Sequence, residues 1–293
     1  MDQSERRASS VELRPAVSVI VPFVGSDAEQ ARLRSALDAL ILGPDDELII
    51  ADNRRDPVRT PAFARNRGAR EARGEWLVFL DADAQPAPDL IDAYLQPPPD
   101  EHTAVLAGAV RDVAPAGGIV ARHAVARAHL SQQTTLERRQ LPYAQTVNCA
   151  VRRRAFQEVG GFVETARAGE DADLCFRLQR AGWGIESRPG ALARHRGRET
   201  IRAWLEQLAV HGSGAAWVNR HWPGEFPAPS VAGFTARLAR YAATALRAAG
   251  RGDREAASFA LLDALGACAF ELGRLLPNTR RAHRQSHLRG FGR

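Results

Sequence analysis

Ala72-Arg73-Gly74-Glu75-Trp76-Leu77-Val78-Phe79-Leu80-Asp81-Ala82-Asp83 runs from a basic segment through a continuous apolar stretch into two acids. An apolar run of this length, without alternation, is the pattern of a strand buried on both faces, inside a sheet covered by helices. In an extended segment residues two apart point to the same side, so Asp81 and Asp83 are expected to present their carboxylates together. Ligands of such sheets bind beyond the carboxyl ends of the strands. Two hard oxygen donors there suit Mg2+ or Mn2+, whose shell is completed by water and phosphate oxygens. The same letters also fit a solvated turn, so the acid pair alone decides nothing.

Upstream, Val17-Ser18-Val19-Ile20-Val21 is a β-branched run stopped by Pro22. A helix is expected from Ala28 to Leu42, with Ala31, Leu33, Ala36, Leu37 and Leu40 on its apolar face. Glu47 to Ala51 reads as the next strand, ending in Asp52, and Pro61 to Arg73 as a helix closed by Gly74 at C′. Strands alternating with helices imply an α/β fold, with a mostly parallel sheet covered on both faces. Downstream, Pro97-Pro98-Pro99 marks a loop, after which the pattern loosens until a strand at Thr146 to Val151 and a short helix ending at Gly160-Gly161. Asp171 to Ala181 reads as a helix stopped by Gly182.

Beyond the proline-rich segment Pro223 to Pro229, Phe234, Leu238 and Tyr241, then Leu262, Leu265, Ala269, Leu272 and Leu276, recur at helical spacing. They predict two amphipathic helices packed as an extension. The resulting organisation is a disordered lead at 1–16, an α/β domain at 17–225, a helical extension at 226–278 and a basic tail at 279–293.

The chain has 293 residues, 45% hydrophobic and 25% charged, as expected of a soluble globular protein. It has no Lys, so its net charge of +6 rests on Arg and suits anionic partners. Cys149, Cys175 and Cys268 lack metal-site spacing and fit a reducing, cytoplasmic setting. Residues 1–15 contain no apolar core of a secretory signal. Ser258 to Leu276 carries Asp263 and Glu271 within an otherwise apolar stretch, which argues against a membrane span. The arginines are dispersed, with no nucleic-acid-reading motif.

A second acidic group, Glu170-Asp171-Ala172-Asp173, opens the helix that ends near Gly182. Acids at that position also serve capping and the helix dipole. Spacing separates them: Asp171 shares a face with Leu174 and Leu178, whereas Asp173 shares one with Arg177 and Arg180 and reads as a surface ion-pair partner. The helix N-terminus is expected to keep Asp171 ionised, as a general base requires. Arg65 and Arg67, in Ala64-Arg65-Asn66-Arg67-Gly68, could clamp a diphosphate or lie on a helix surface. His195, after Pro189-Gly190, is a candidate third metal ligand. The run Arg152-Arg153-Arg154 reads as a solvated face, and the basic tail as solvated or docked on anionic lipid.

In their order and spacing these segments resemble the family 2 glycosyltransferases of GT-A fold. The matching stretches are Val17 to Pro22, Asp52-Asn53, Ala64 to Gly68, Ala72 to Asp83, Asn148 to Arg153, Val159-Gly160-Gly161-Phe162 and Gly169 to Cys175, covering roughly residues 17–200. The resemblance implies a nucleotide-diphosphate sugar donor and Mn2+ or Mg2+. It places Pro22, Asp52, Arg65, Asn66 and Asp81 on the donor side, with Asp52 against the base. Asp83, with Asp81 and His195, would hold the metal, Asp171 would be the base of an inverting transfer, and Glu170 and Asn148 would lie on the acceptor side. Family members usually carry a longer stretch, with another short strand, where this chain has only Arg54 to Phe63.

Of three alternatives, a retaining transferase and a non-catalytic nucleotide-sugar-binding partner stay open, and a nucleotidyltransferase is discounted. Against the last, Pro22 to Asp27 lacks the basic loop that grips a triphosphate. The acceptor is not identified; a lipid-linked one at the inner face of the membrane would suit the extension and tail.

Overall fold

The computed structural model describes residues 14–56, 58–114 and 117–279. In chain order the strands are β1 (Val17–Phe23), β2 (Glu47–Asp52), β3 (Trp76–Leu80), β4 (Ala84–Pro86), β5 (Thr103–Val113), β6 (Asn148–Arg152) and β7 (Gly184–Arg196). The helices are α1 (Asp27–Leu37), α2 (Pro61–Glu71), α3 (Leu90–Leu95), α4 (Ile119–Arg127), α5 (Gln132–Leu136), α6 (Arg153–Glu158), α7 (Glu170–Arg180), α8 (Ile201–His221), α9 (Val231–Gly250) and α10 (Arg254–Gly273).

Alternation along the strands builds two cores. Val19, Val21, Trp76, Val78 and Leu80 meet Leu33 and Leu37 of α1 and Leu90, Ile91 and Tyr94 of α3 on one face. Ile20, Leu77, Phe79, Val105 and Val151 meet α2, Phe156 of α6 and Leu174 and Leu178 of α7 on the other. Each large side chain so buried contributes about 1.5–3 kcal/mol. A Cβ at Gly68 would lie 2.6 Å from the Ile20 side chain, so that glycine lets α2 pack directly on β1.

The strands form one seven-stranded sheet in the order β2-β1-β3-β6-β5-β7-β4. The first three strands are parallel, as the alternating pattern predicts. β6 then enters antiparallel to both β3 and β5, β5 and β7 are parallel, and β4 is antiparallel to β7. Parallel and antiparallel pairings are therefore balanced, because the chain reaches β6 through α4 and α5 and inserts it between strands already placed. Among the described residues no strand lies between β2 and α2, as the short Arg54–Phe63 segment suggests.

Local readings change in several places. Residues 14–16 belong to the fold: Arg14 pairs with Asp46 and Asp92, and the Ala16 carbonyl accepts from Glu75. The remainder of the expected lead, 1–13, and all of the tail after Thr279 lie outside the described residues. Helix α1 stops at Leu37. α2 ends with Ala72 extended, so Gly74 is not its C′ residue; a side chain there would strike the Ser18 backbone at 2.5 Å. Pro189-Gly190 lies inside β7 as an irregularity, where the register jumps from Arg188 opposite Gly108 to Leu192 opposite Ala109.

Helix α10 packs on both α8 and α9. By length and composition alone it would suffice to cross a membrane. Its three acids are paired within the protein, Glu255 with Arg122, Asp263 with Arg127 and His123, and Glu271 with Arg237 and Arg274. Its outward face nevertheless exposes Leu261, Leu265, Leu272, Leu275 and Leu276 with the turn that follows.

Candidate active site

A cavity of about 830 Å3 opens beyond the carboxyl end of β3. Arg65, Asp81, Asp83, Glu170, Asp171, His195 and Arg198 all line it. Four separate elements deliver them.

Asp81 and Asp83 follow β3, but not in an extended segment. The Ala84 N–H donates to the Asp81 carbonyl at 3.0 Å, closing a turn, so the two carboxylates meet different partners instead of pointing one way. Arg65, on α2 and only 3% exposed, reaches Asp81 Oδ1 with Nη2 at 2.6 Å and Glu170 Oε1 with Nη1 at 2.8 Å. The arginine expected to clamp a diphosphate thus joins one acid from each acidic motif.

The two acids left over face the cavity. Asp83 has His195 Nε2 at 3.6 Å and Arg198 Nη1 at 3.7 Å. Sheet register explains the first contact: β7 runs between β5 and β4, putting His195 opposite both Asp112 and Ala84. Asp112 Oδ1 lies 3.0 Å from His195 Nδ1 and fixes the ring with Nε2 toward Asp83. Burial disfavours the imidazolium, but Asp112 and Asp83 outweigh it and raise His195 to about 9. Burial likewise opposes ionisation of Asp83, yet His195 and Arg198 hold its carboxyl below the usual range.

A carboxylate beside an imidazole whose other nitrogen is held by a second carboxylate is donor chemistry that fits Mn2+ or a similar divalent cation. The positive charge now supplied by the imidazolium is what a cation bound at Nε2 would supply in its place. Asp81 is drawn away to Arg65, and among the described residues no three acidic, His or Cys side chains stand gathered at metal-binding spacing. Of the three expected ligands, Asp83 and His195 are the pair that face one another.

Asp171 opens α7 beside Glu170. Gly169, at the N-cap with φ of 82°, makes the turn into the helix, and a side chain there would strike Val218. The Ala172 N–H donates to Asp171 Oδ1 at 2.8 Å. Burial, then the neighbouring Glu170, push Asp171 up to about 7. The expectation that the helix N-terminus helps keep it ionised is met only in part, because burial and Glu170 outweigh the Ala172 N–H and Arg65. Asp173 is not a surface acid either. It pairs with Arg177 as predicted, but it is 5% exposed and accepts from the Trp222 indole, which follows α8 and covers it.

Five predicted residues stand apart from the cavity lining. Asn66 uses its amide to hold the Phe162 backbone at both N–H and C=O. Asn148, fully buried, donates to the Ala109 and Ala191 carbonyls and accepts from the Tyr94 hydroxyl, so it is not an acceptor-side group. Asp52 is gripped by Arg54 at 2.5 Å, and Pro22 pairs within the sheet opposite Ala51. Arg67 reaches Asp56 and the Asp52 carbonyl.

The sequence pattern missed Asp112, Arg198 and the far wall. Val210 and Val218 of α8 and Phe270 of α10 line the cavity, so the helical extension contributes to it directly. His129 and His211 stack there with centroids 6.4 Å apart, and burial lowers His211 to about 4. Helical periodicity could have announced α8; nothing local marks Asp112, an acid inside a strand.

The family model described as glycosyltransferase-like family 2 matches residues 7–211. The chain belongs to the family 2 glycosyltransferases. Two curated relatives are the pre-mycofactocin glycosyltransferases of Mycobacterium tuberculosis strains CDC 1551 and H37Rv, each 31% identical over 160 residues, or 53% of this chain. The match spans only 34% of each relative's length. In fold, the chain is similar to a mannosyltransferase from Pyrobaculum calidifontis solved with GDP-Man and Mn2+. The TM-score is 0.61 at 18% identity, over 93% of this chain and 92% of that one. The GT-A architecture expected from the sequence is therefore present.

Proposed function

We propose that this glycosyltransferase moves a sugar from a nucleotide-diphosphate donor to an acceptor hydroxyl in a cation-dependent, inverting reaction. The observation that carries the reading is the division made by Arg65. With Asp81 and Glu170 tied to that guanidinium, Asp83 and Asp171 are left facing one cavity with different partners.

Asp83 and His195 would hold a divalent cation, whose Lewis acidity would offset charge on the departing diphosphate. Arg198 stands beside Asp83 with a guanidinium suited to phosphate oxygens. Asp171 takes the acceptor proton at its carboxylate; held near 7, it is well matched to that task at neutral pH. Attack from the side opposite the leaving group then inverts the anomeric centre. The GDP-Man and Mn2+ of the Pyrobaculum mannosyltransferase support this choice of donor class and cation.

Calorimetric titration of UDP and GDP, with and without Mn2+, into wild type and Asp83→Ala tests the donor site. The expected result is cation-dependent binding of one nucleotide that the variant loses. If UDP, GDP and dTDP all fail to bind, the reading gives way to a non-catalytic partner protein, consistent with the short segment between β2 and α2.

We also propose that the enzyme works at an anionic membrane surface on the cytoplasmic side, with an acceptor presented there. Leu272, Leu275 and Leu276 are exposed at the end of the extension, and the following residues 280–293 carry five arginines. Apolar anchoring with adjacent basic charge is the usual pairing for such surfaces. Sedimentation with phosphatidylserine vesicles should fall sharply in Leu272→Ser/Leu275→Ser/Leu276→Ser; equal sedimentation would remove this part of the reading.

A further inference from the structure

We infer that the chain immediately after α10 is a positioning element for the active site, acting through Asn278. The inference rests on the reading of Asp171 as base. It assigns the helical extension a part in transfer itself.

The loop 162–169 delivers Glu170 and Asp171 into the cavity, and it is held from two sides. On the α2 side, Asn66 holds Phe162, and the Thr60 hydroxyl donates to the Glu164 carbonyl. On the other side the partner is the end of the extension. Ala166 forms an antiparallel bridge with Thr279, the Arg167 N–H donates to the Asn278 carbonyl at 2.9 Å, and Asn278 Nδ2 donates to the Ala168 carbonyl at 2.9 Å. The Asn278 side chain is itself fixed by Ser213 of α8, whose hydroxyl is shared between Asn278 Oδ1 at 3.1 Å and the Val210 carbonyl.

All of this is dry. Asn278 is 1% exposed, and Ala166 and Ser213 are fully buried. A 1% exposed amide needs protein partners, and Asn278 finds them in the Ala168 carbonyl and Ser213, tying the loop backbone to the end of the extension. The approach is also close, because a Cβ at Gly214 would lie 2.8 Å from the Ala168 carbonyl oxygen. α7 has no side-chain cap of its own, so its first turn is placed by this loop together with the Arg65 grip on Glu170. A shift of the loop moves Asp171 against the acceptor while leaving His195 and Asp112, on the sheet, and Asp83, in the turn between β3 and β4, in place.

A positioning role therefore separates turnover from donor binding. The full-length protein is compared as wild type, Asn278→Ala, Asn278→Asp, Ser213→Ala and Asp171→Asn. Three quantities are followed: hydrogen exchange of segment 163–172, affinity for UDP and GDP with Mn2+, and nucleotide release from UDP-glucose and GDP-mannose. Asn278→Ala and Asn278→Asp, which both lack the donor to Ala168, should speed exchange of that segment roughly tenfold and lower turnover roughly tenfold, with nucleotide affinity within about twofold. Ser213→Ala should give a smaller change in the same direction, and among the clamp variants the pH profile of turnover should shift most in those at Asn278. Unaltered exchange of 163–172, or affinity falling in step with turnover, overturns the inference. So does failure of every Asn278 and Ser213 variant to fold, which would assign the clamp to scaffold stability. If Asp171→Asn turns over as wild type does, the base assignment has failed; a silent Asn278→Ala beside a dead Asp171→Asn sinks the positioning role alone.

Discussion

The two acidic motifs of the cavity are built alike and put to different use. In each, Arg65 takes one carboxylate, Asp81 from the turn after β3 and Glu170 from the start of α7. The remaining members diverge because their neighbours differ. Asp83 faces an imidazole and a guanidinium and is held ionised, whereas Asp171 is raised to about 7 by burial and by Glu170 beside it. One acid is thereby suited to a cation and the other to a proton. Pairs of carboxylates whose environments push their pKa values apart recur where acid–base work is divided. The division depends on a single buried guanidinium joining α2 to both motifs.

Removing that guanidinium should erase the contrast and have the largest effect. Arg65→Met leaves Glu170 buried without its ion-pair partner and releases Asp81, and breaking such a pair costs about 3–5 kcal/mol. Chemical denaturation should record that loss, and nucleotide release should fall below detection even under conditions where the variant is folded.

Asp171→Asn sharpens the comparison from one side. It should lower turnover by roughly 10²–10⁴ while leaving UDP or GDP affinity within about twofold. In wild type, turnover should rise with pH through about 7 and then level off, since the base acts when deprotonated. Stability runs the opposite way. A carboxyl raised from 3.8 to about 7 binds its proton more tightly when folded, so its contribution is lost as pH rises through that interval. Asp171→Asn should therefore melt higher than wild type at about pH 8, and the difference should close towards about pH 4.

The smallest effect tests the other side. Asp112 touches His195 and not the cavity centre, so Asp112→Asn should weaken Mn2+-dependent nucleotide binding by about 10–100-fold, as loss of a group orienting a ligand does. Calorimetry in the presence of Mn2+ measures it; binding equal to wild type would detach His195 from the cation.

Much of this was legible before any coordinate. The run Trp76 to Leu80 announced a strand buried on both faces, and so it is; Asp81, Asp83, Glu170 and Asp171 stood out as acids at element ends. The alternation of strand and helix through residue 80 determined a covered parallel sheet there, because periodicity is a local property of the chain. Spacing also placed two helices after Pro229.

Tertiary structure decided the rest. Whether Arg65 met phosphate or carboxylate depended on where α7 lies against α2, and Asn66 and Asn148 look like site residues in sequence but hold backbone in the fold. The partnership of Asp112 with His195 follows from the register of β5 on β7, across 83 residues of sequence. The hold of Asn278 on Ala168 spans 110 residues. Such contacts leave no periodic trace, because they join single residues from elements that only folding brings together. The sequence by itself determined which acids the chain presents and on which elements; only the packed structure decided which of them remain free to act.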